Sequence, residues 1–195
     1  MSPQPSNRGA LIEGALRCLE RLPPERVTAR AIADESGANP ASIAYHFGSK
    51  DRLVTEAVIA GLDRWLAEIE RGMGEEVPGG GRPADRLHRA AEVMEATRRD
   101  HTGLARAFLT ALAKAQHDPE LARTLAAGFA KTRPALAELI GLGDDQVGED
   151  AGGLILAMFD GLLFQALLDP GLAIEGERMR SAQARLRRAL PAERS

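Results

Sequence analysis

The chain has 195 residues and a mass of 20.8 kDa, with 25 Lys+Arg against 28 Asp+Glu and a net charge of −3. That length supports one ample core or two small ones, and the balance of charge excludes a protein that coats nucleic acid through bulk positive charge. One cysteine excludes an internal disulfide and suits a reducing cytoplasm, and aromatics at only 4% amid abundant Ala, Leu, Arg and Glu favour helices throughout.

No stretch sustains a period of two, so the expected fold class is all-α with about nine helices. Residues 1–6, rich in Pro and Ser, read as a mobile tail. A first helix is predicted over Asn7–Arg21, with Leu11, Ile12, Ala15, Leu16 and Leu19 on one stripe and Cys18 as a small buried hydrophobe; Pro23 and Pro24 end it. Thr28 suits the N-cap of a second helix, accepting from the backbone N–H of Ala31, with Val27 and Ile32 as a hydrophobic staple. Ile32, Ala33 and Ser36 share a face, and Gly37 suits the left-handed position that stops the helix. Asn39 can cap a third helix with Pro40 at its first position. That helix buries Ile43 and Phe47, leaving Pro40, Ala41, Ala44 and Tyr45 outward; Gly48 ends it, Ser49 caps the next helix and Lys50 opens it.

Two short capped helices around a glycine turn, the second with an open face of small residues, form a helix-turn-helix layout suited to the major groove. Lys50 opposes the helix dipole at its own N-terminus, a disfavour that a bound phosphate would remove. From Asn7 to about Val58 the chain resembles the DNA-binding domain of TetR-family transcriptional regulators. The resemblance is carried by ALIEGALRCL, VTARAIADESGA and ASIAYHFGSKDRL, above all by Tyr-His-Phe-x-x-Lys followed by Leu53. The family usually has a tyrosine where Ala44 stands, and here Tyr45 takes its phosphate contact. Thr28, Tyr45, His46 and Lys50 are the candidates for positioning on phosphates; Arg30 could reach guanine O6/N7, and Asn39, Pro40, Ala41, Ser42 and Ala44 would meet base edges. Residues 1–52 are taken as this domain and 53–195 as a second one; their charges, +1 and −4, permit binding through a few placed cations.

After Lys50 a longer helix carries Leu53, Val54, Ala57, Val58, Leu62, Trp65, Leu66 and Ile69, linking the two halves. Gly72–Pro83 reads as a flexible loop. Helices are then expected over Ala84–Asp100, with Leu87, Ala90, Ala91 and Met94 inward, and over Thr102–Gln116, with Leu104, Phe108, Leu109 and Leu112 inward. Asp118-Pro119 opens a helix that Pro134 should kink or divide before Gly141–Gly143. The last two run over Asp145–Leu168 and Glu175–Leu190. The longest apolar run, Leu154–Leu168, is broken by Asp160 and Gln165, so no membrane span is expected. Its surplus apolar and small residues suggest a partner subunit, and the resemblance implies a four-helix dimer interface, with Gly152, Leu154, Ile155, Leu162, Leu163 and Leu186 as its candidates.

Catalysis finds little support. His46, His88, His101 and His117 lie on separate elements, Asp85-x-x-His88 has no second such pair, and the glycines at 79–81 follow no strand. No metal or cofactor is expected. The resemblance implies instead a small effector bound by the second half, for which Trp65, Met94, Phe108, Phe129, Met158, Phe159 and Gln165 are the pocket candidates. The sequence therefore reads as a cytoplasmic, homodimeric, ligand-responsive repressor of a palindromic operator. A helical sensor or interaction protein that does not bind DNA is the competing reading.

Overall fold

The structure, a computed structural model, describes residues 7–23, 26–74 and 81–189. The expected N-terminal tail, Pro24, most of the 72–83 loop and Leu190 lie outside the described residues. Among the described residues there are nine α-helices and no strand: α1 Asn7–Arg21, α2 Ala29–Ser36, α3 Ala41–Phe47, α4 Lys50–Met73, α5 Pro83–Thr97, α6 Thr102–Ala115, α7 Pro119–Ile140, α8 Gln146–Leu168 and α9 Gly176–Ala189. A 3-10 turn, Pro170–Leu172, joins the last two.

Two apolar clusters fill the molecule. The first joins α1, α2 and α3 to the first half of α4 through Leu11, Ile32, Ile43, Phe47, Leu53 and Val58, and continues into α6 and α7 through Leu104, Phe108 and Leu125. Leu11, Ile32 and Leu53 are wholly buried, each contributing about 1.5–3 kcal/mol relative to exposure. The second cluster gathers Trp65 and Ile69 of α4, Met94 of α5, Ile140 of α7 and Phe159 and Leu163 of α8. Thus α4 is a single helix of 24 residues, continuous through positions 52 and 53, with one end in each cluster.

Several elements depart from the sequence-based expectations. Helix α4 carries Gly72 inside it and ends at Met73, so the loop starts later than expected. Helix α7 is not divided at Pro134. The backbone of α8 lies against that turn: a Cβ on Gly152 would come within 2.4 Å of the Arg133 carbonyl oxygen. The close packing of α8 holds the helix together where the proline removes a hydrogen bond. On α6, Leu109 points outward at 38% exposure, while Ala105, Ala107 and Ala111 join Leu104 and Phe108 on the buried face. Alanines suit that face because α4 comes close there; a Cβ on Gly61 would sit 2.7 Å from Leu104 Cδ1.

Candidate functional site

Local hydrogen bonds fix each helix of the N-terminal unit. The Ala31 N–H donates to Thr28 Oγ1 at 3.1 Å, and Gly37 takes φ of 67° to end α2. The Ala41 N–H donates to Asn39 Oδ1 at 2.9 Å, so Asn39 caps the start of α3. Pro40, at φ −52° and ψ −32°, already has helical backbone, although the regular hydrogen bonding starts at Ala41. Helices α1 and α2 nearly touch, since a Cβ on Gly14 would lie 2.7 Å from Ser36 Cβ. Arg17 bonds the Glu35 carboxylate at 2.8 Å and its backbone carbonyl at 2.7 Å. Helix α3 is pinned by Ile43 and Phe47, and the Arg8 guanidinium lies 5.0 Å above the Phe47 ring.

This anchoring leaves the opposite face of α3 uncovered. Asn39, Pro40, Ala41, Ala44 and Tyr45 are exposed, Tyr45 by 85%, while Ser42 and His46 are half-buried. Tyr45 packs edge-on to His46 at 4.8 Å, and His46 makes no hydrogen bond among the described residues. Thr28 and Arg30 are exposed on α2 and its cap; the Arg30 guanidinium lies 4.0 Å from Asp34 and is otherwise in solvent. Such a face, flat and methyl-rich, can approach base edges closely while hydroxyl and cationic groups at its margin meet phosphates. Lys50 is more engaged than the sequence suggests. Its ammonium donates to the Val27 carbonyl at 3.3 Å and lies 3.4 Å from Asp51, which Lys114 of α6 also holds at 2.7 Å. Burial alone would raise the Asp51 carboxyl; the two ammonium groups outweigh it and keep the value below the ordinary carboxylate range.

At the far half of α4, a cavity of about 110 Å³ opens between α4, α5, α6, α7 and α8. Trp65, Met94, Phe108, Phe129 and Phe159 all line it. Met158 packs against the second cluster outside this lining, and Gln165 is exposed. The Trp65 indole is fixed by donating to Thr97 Oγ1 at 2.7 Å. Three polar side chains that sequence reasoning did not place there, Asp63, Thr132 and Asp160, also line the cavity. Asp63 is paired with Lys131 at 2.5 Å, whereas Asp160 has no hydrogen bond or ion pair among the described residues. Burial raises its carboxyl from 3.8 to about 6. The signal for it was present as the one carboxylate within the apolar run Leu154–Leu168.

A tight joint connects the two ends. Glu20 at the end of α1 accepts from the Gly103 and Leu104 N–H groups at 3.3 and 3.1 Å, capping α6. A Cβ on Gly103 would lie 2.1 Å from the Leu19 carbonyl oxygen, so the two backbones are in contact. Of the histidines and acids weighed as metal ligands, Asp85 pairs with Arg82, His88 with Glu92, and His101 with Glu68. Of the residues expected between subunits, Gly152 and Leu163 are instead buried within the chain, the former against α7. Leu154 and Leu186 point outward at 75% and 57% exposure, and Ile155 and Leu162 are half-buried. Val147 and Leu168 join the exposed set.

Residues 11–57 match the family described as bacterial regulatory proteins, tetR family, and residues 83–193 match the BetI-type transcriptional repressor, C-terminal. The HTH-type transcriptional regulator BetI of Brucella melitensis biotype 1 is 29% identical over 123 residues, which cover 63% of this chain and 60% of that protein. The match thus spans less than two thirds of the curated relative's length. A transcriptional regulator from Saccharomonospora viridis, solved in complex with choline, is 25% identical with a TM-score of 0.60, over 91% of this chain and 94% of that one. The multidrug binding protein EbrR, solved with imidazole, shares the fold at 23% identity and a TM-score of 0.61, over 98% and 99% of the two chains.

Proposed function

The chain belongs to the TetR family of bacterial regulatory proteins, a family of transcriptional regulators rather than enzymes, and from that premise we propose a homodimeric repressor released from a palindromic operator by a small organic effector. The observation that carries this reading is the uncovered face of α3, with Ala41, Ala44 and Tyr45 exposed on a helix anchored from behind by Ile43 and Phe47. Two such helices would enter successive major grooves roughly 34–36 Å apart. Thr28, Tyr45, His46 and Lys50 would position on phosphates, and Arg30, Asn39, Pro40, Ala41, Ser42 and Ala44 would face bases.

Residues 1–52 form the DNA-binding part and 53–195 the effector-binding and dimerising part, with the protein acting in the cytoplasm. Dimerisation is supported by α8, whose most apolar window has a mean hydropathy of 1.8 yet is only 22% buried within the chain. A helix that apolar needs a partner, and a second copy related by a two-fold axis would present the same surface. The effector would occupy the cavity at the far half of α4; the Saccharomonospora viridis regulator, solved with choline, supports a small organic molecule as the kind of effector. It can release DNA only by binding more tightly to the conformation that does not fit the operator.

Selection of bound fragments from random double-stranded DNA tests this directly. The expected outcome is enrichment of an inverted repeat with half-sites one helical turn apart. A pool that stays random after several rounds at moderate salt would favour the competing reading of a helical sensor that works through protein contacts.

A further inference from the structure

We propose that a second cavity, a groove between the end of α1, the start of α4 and α6, is a binding site for a linear aliphatic anion. Arg106 and Arg99 hold its carboxylate, and the apolar floor of the groove holds its hydrocarbon body. The site is independent of the effector reading. Helix α6 gives Ala107 and Ala111 to this groove and Phe108 to the other cavity.

The groove measures about 470 Å³, against about 110 Å³ for the cavity at the far half of α4. Its floor is apolar, formed by Leu19 of α1, Leu22 just past it, Val54 of α4 and the buried Ala107 and Ala111. Its rim is cationic: among the described residues, five Lys and Arg side chains line it against three carboxylates. Two of those carboxylates are engaged. Glu20 caps α6, and Asp51 lies 3.4 and 2.7 Å from the ammonium groups of Lys50 and Lys114. Only Asp100 is left to offset a further cation. Arg21 pairs with Glu35 outside the groove. The Arg106 side chain, by contrast, has no hydrogen bond or ion pair among the described residues, and Arg99 attracts Glu175 from beyond ion-pair distance. Arg106, Thr110 and Lys114 follow one another at four-residue spacing, so one side of α6 presents its cations to the groove.

The donors on offer select an anion. The hydroxyls of Thr55, Thr102 and Thr110 donate to the carbonyls of Asp51, Arg99 and Arg106 at 2.9, 2.9 and 3.0 Å, so their protons are already used. What remains is guanidinium and ammonium, whose bonds to a carboxylate are roughly twice as strong as neutral hydrogen bonds. The floor selects the rest of the ligand. No aromatic side chain lines the groove among the described residues, so a nucleobase or other ring finds nothing to stack on. A cavity of about 150 Å³ accepts benzene, so 470 Å³ admits an aliphatic chain of about a dozen heavy atoms. Such an occupant bridges Leu19 and Val54 to α6, beside the contact of Gly103 with the Leu19 carbonyl.

Decanoate has that size and is the probe. The full chain is titrated calorimetrically with decanoate, with neutral decanamide and with inorganic phosphate. Decanoate is expected to bind once per chain, at least about tenfold more tightly than the other two. Arg106→Gln should weaken it about fivefold, and the double variant Arg99→Gln/Arg106→Gln should reduce it to about the decanamide level. Thr110→Phe, which fills the groove from its rim, should abolish binding, whereas Arg123→Gln on α7, outside the groove, should change nothing. All four side chains are exposed, so these variants should melt within about 2 °C of wild type without ligand. The single tryptophan, Trp65, lines the other cavity, and its emission should not respond to decanoate. The proposal is overturned if decanamide or phosphate binds as tightly as decanoate, or if the double variant or Thr110→Phe binds as wild type does. A shift in Trp65 emission on binding would place the ligand in the other cavity and overturn it equally. So would the lack of saturable one-to-one binding below about 1 mM.

Discussion

Asp160 and Lys50 show how much a single side chain can decide. The carboxyl of Asp160 lies near 6 rather than 3.8, so the folded chain holds that proton more tightly than the unfolded one does. The group is therefore harmless below about pH 4, becomes destabilising as pH rises towards 6, and carries its full cost above that. Asp160→Asn should accordingly raise the melting temperature of the empty protein by several degrees at pH 7.5, corresponding to at most about 3 kcal/mol, and leave it unchanged at pH 4. Lys50 would have two duties under the proposed function, since its ammonium also holds the Val27 carbonyl just before the Thr28 cap. Lys50→Ala should weaken binding to every DNA sequence, lower the salt slope by about 1, and cost about 1 kcal/mol in urea denaturation. Arg30, free of such structural work at 89% side-chain exposure, should behave differently. Arg30→Ala is expected to relax discrimination at one base position in a binding-selection assay while the melting temperature stays within about 1 °C.

At the scale of whole helices, the joint between α1 and α6 is the most constrained contact in the chain. Adding a methyl group at Gly103 would place it 2.1 Å from the Leu19 carbonyl oxygen, a backbone atom that cannot swing aside. Gly103→Ala should therefore cost about 1–3 kcal/mol in denaturation and, under the proposed function, alter how strongly effector and DNA would exclude each other. Nothing in the residue pattern announces that glycine, because the contact joins positions 84 apart. What could be read from sequence was local. The caps by Thr28, Ser49 and Asp118 follow from side chains reaching backbone groups three residues away or fewer. The exposed face of α3 followed from Ile43 and Phe47 lying four apart. The continuity of α7 through Pro134 was not legible, since it depends on α8 pressing on the Arg133 carbonyl. Leu109 misled for a similar reason: a close neighbour favours alanine on the inner face, and the larger residue turns out. Five of the seven pocket candidates reached the cavity because large apolar residues there come from the inner stripes of five helices. Asp160 was hidden by the same logic, read as an interruption instead of a feature.

For the molecule as a whole, the uncovered apolar residues of α8 and α9 would set the proposed dimer. Leu154 and Leu168 are exposed by 75% and 85%, and Leu186 by 57%. Leu154→Glu should leave the protomer folded, since the side chain is already in water, and shift sedimentation at micromolar concentration from dimer to monomer. Operator affinity should fall with it, because two half-sites need two recognition helices. The unbroken run of α4 then acquires a mechanical meaning. At 1.5 Å per residue, its 24 residues span about 36 Å. A swing of about 8° at the Trp65 end would carry Lys50, about 22 Å away along the helix, by about 3 Å, close to one base step along a strand. Under the proposed function, a ligand of a few atoms would act as the short arm of a crowbar: wedging one end by about a bond length would misalign a pair of grooves.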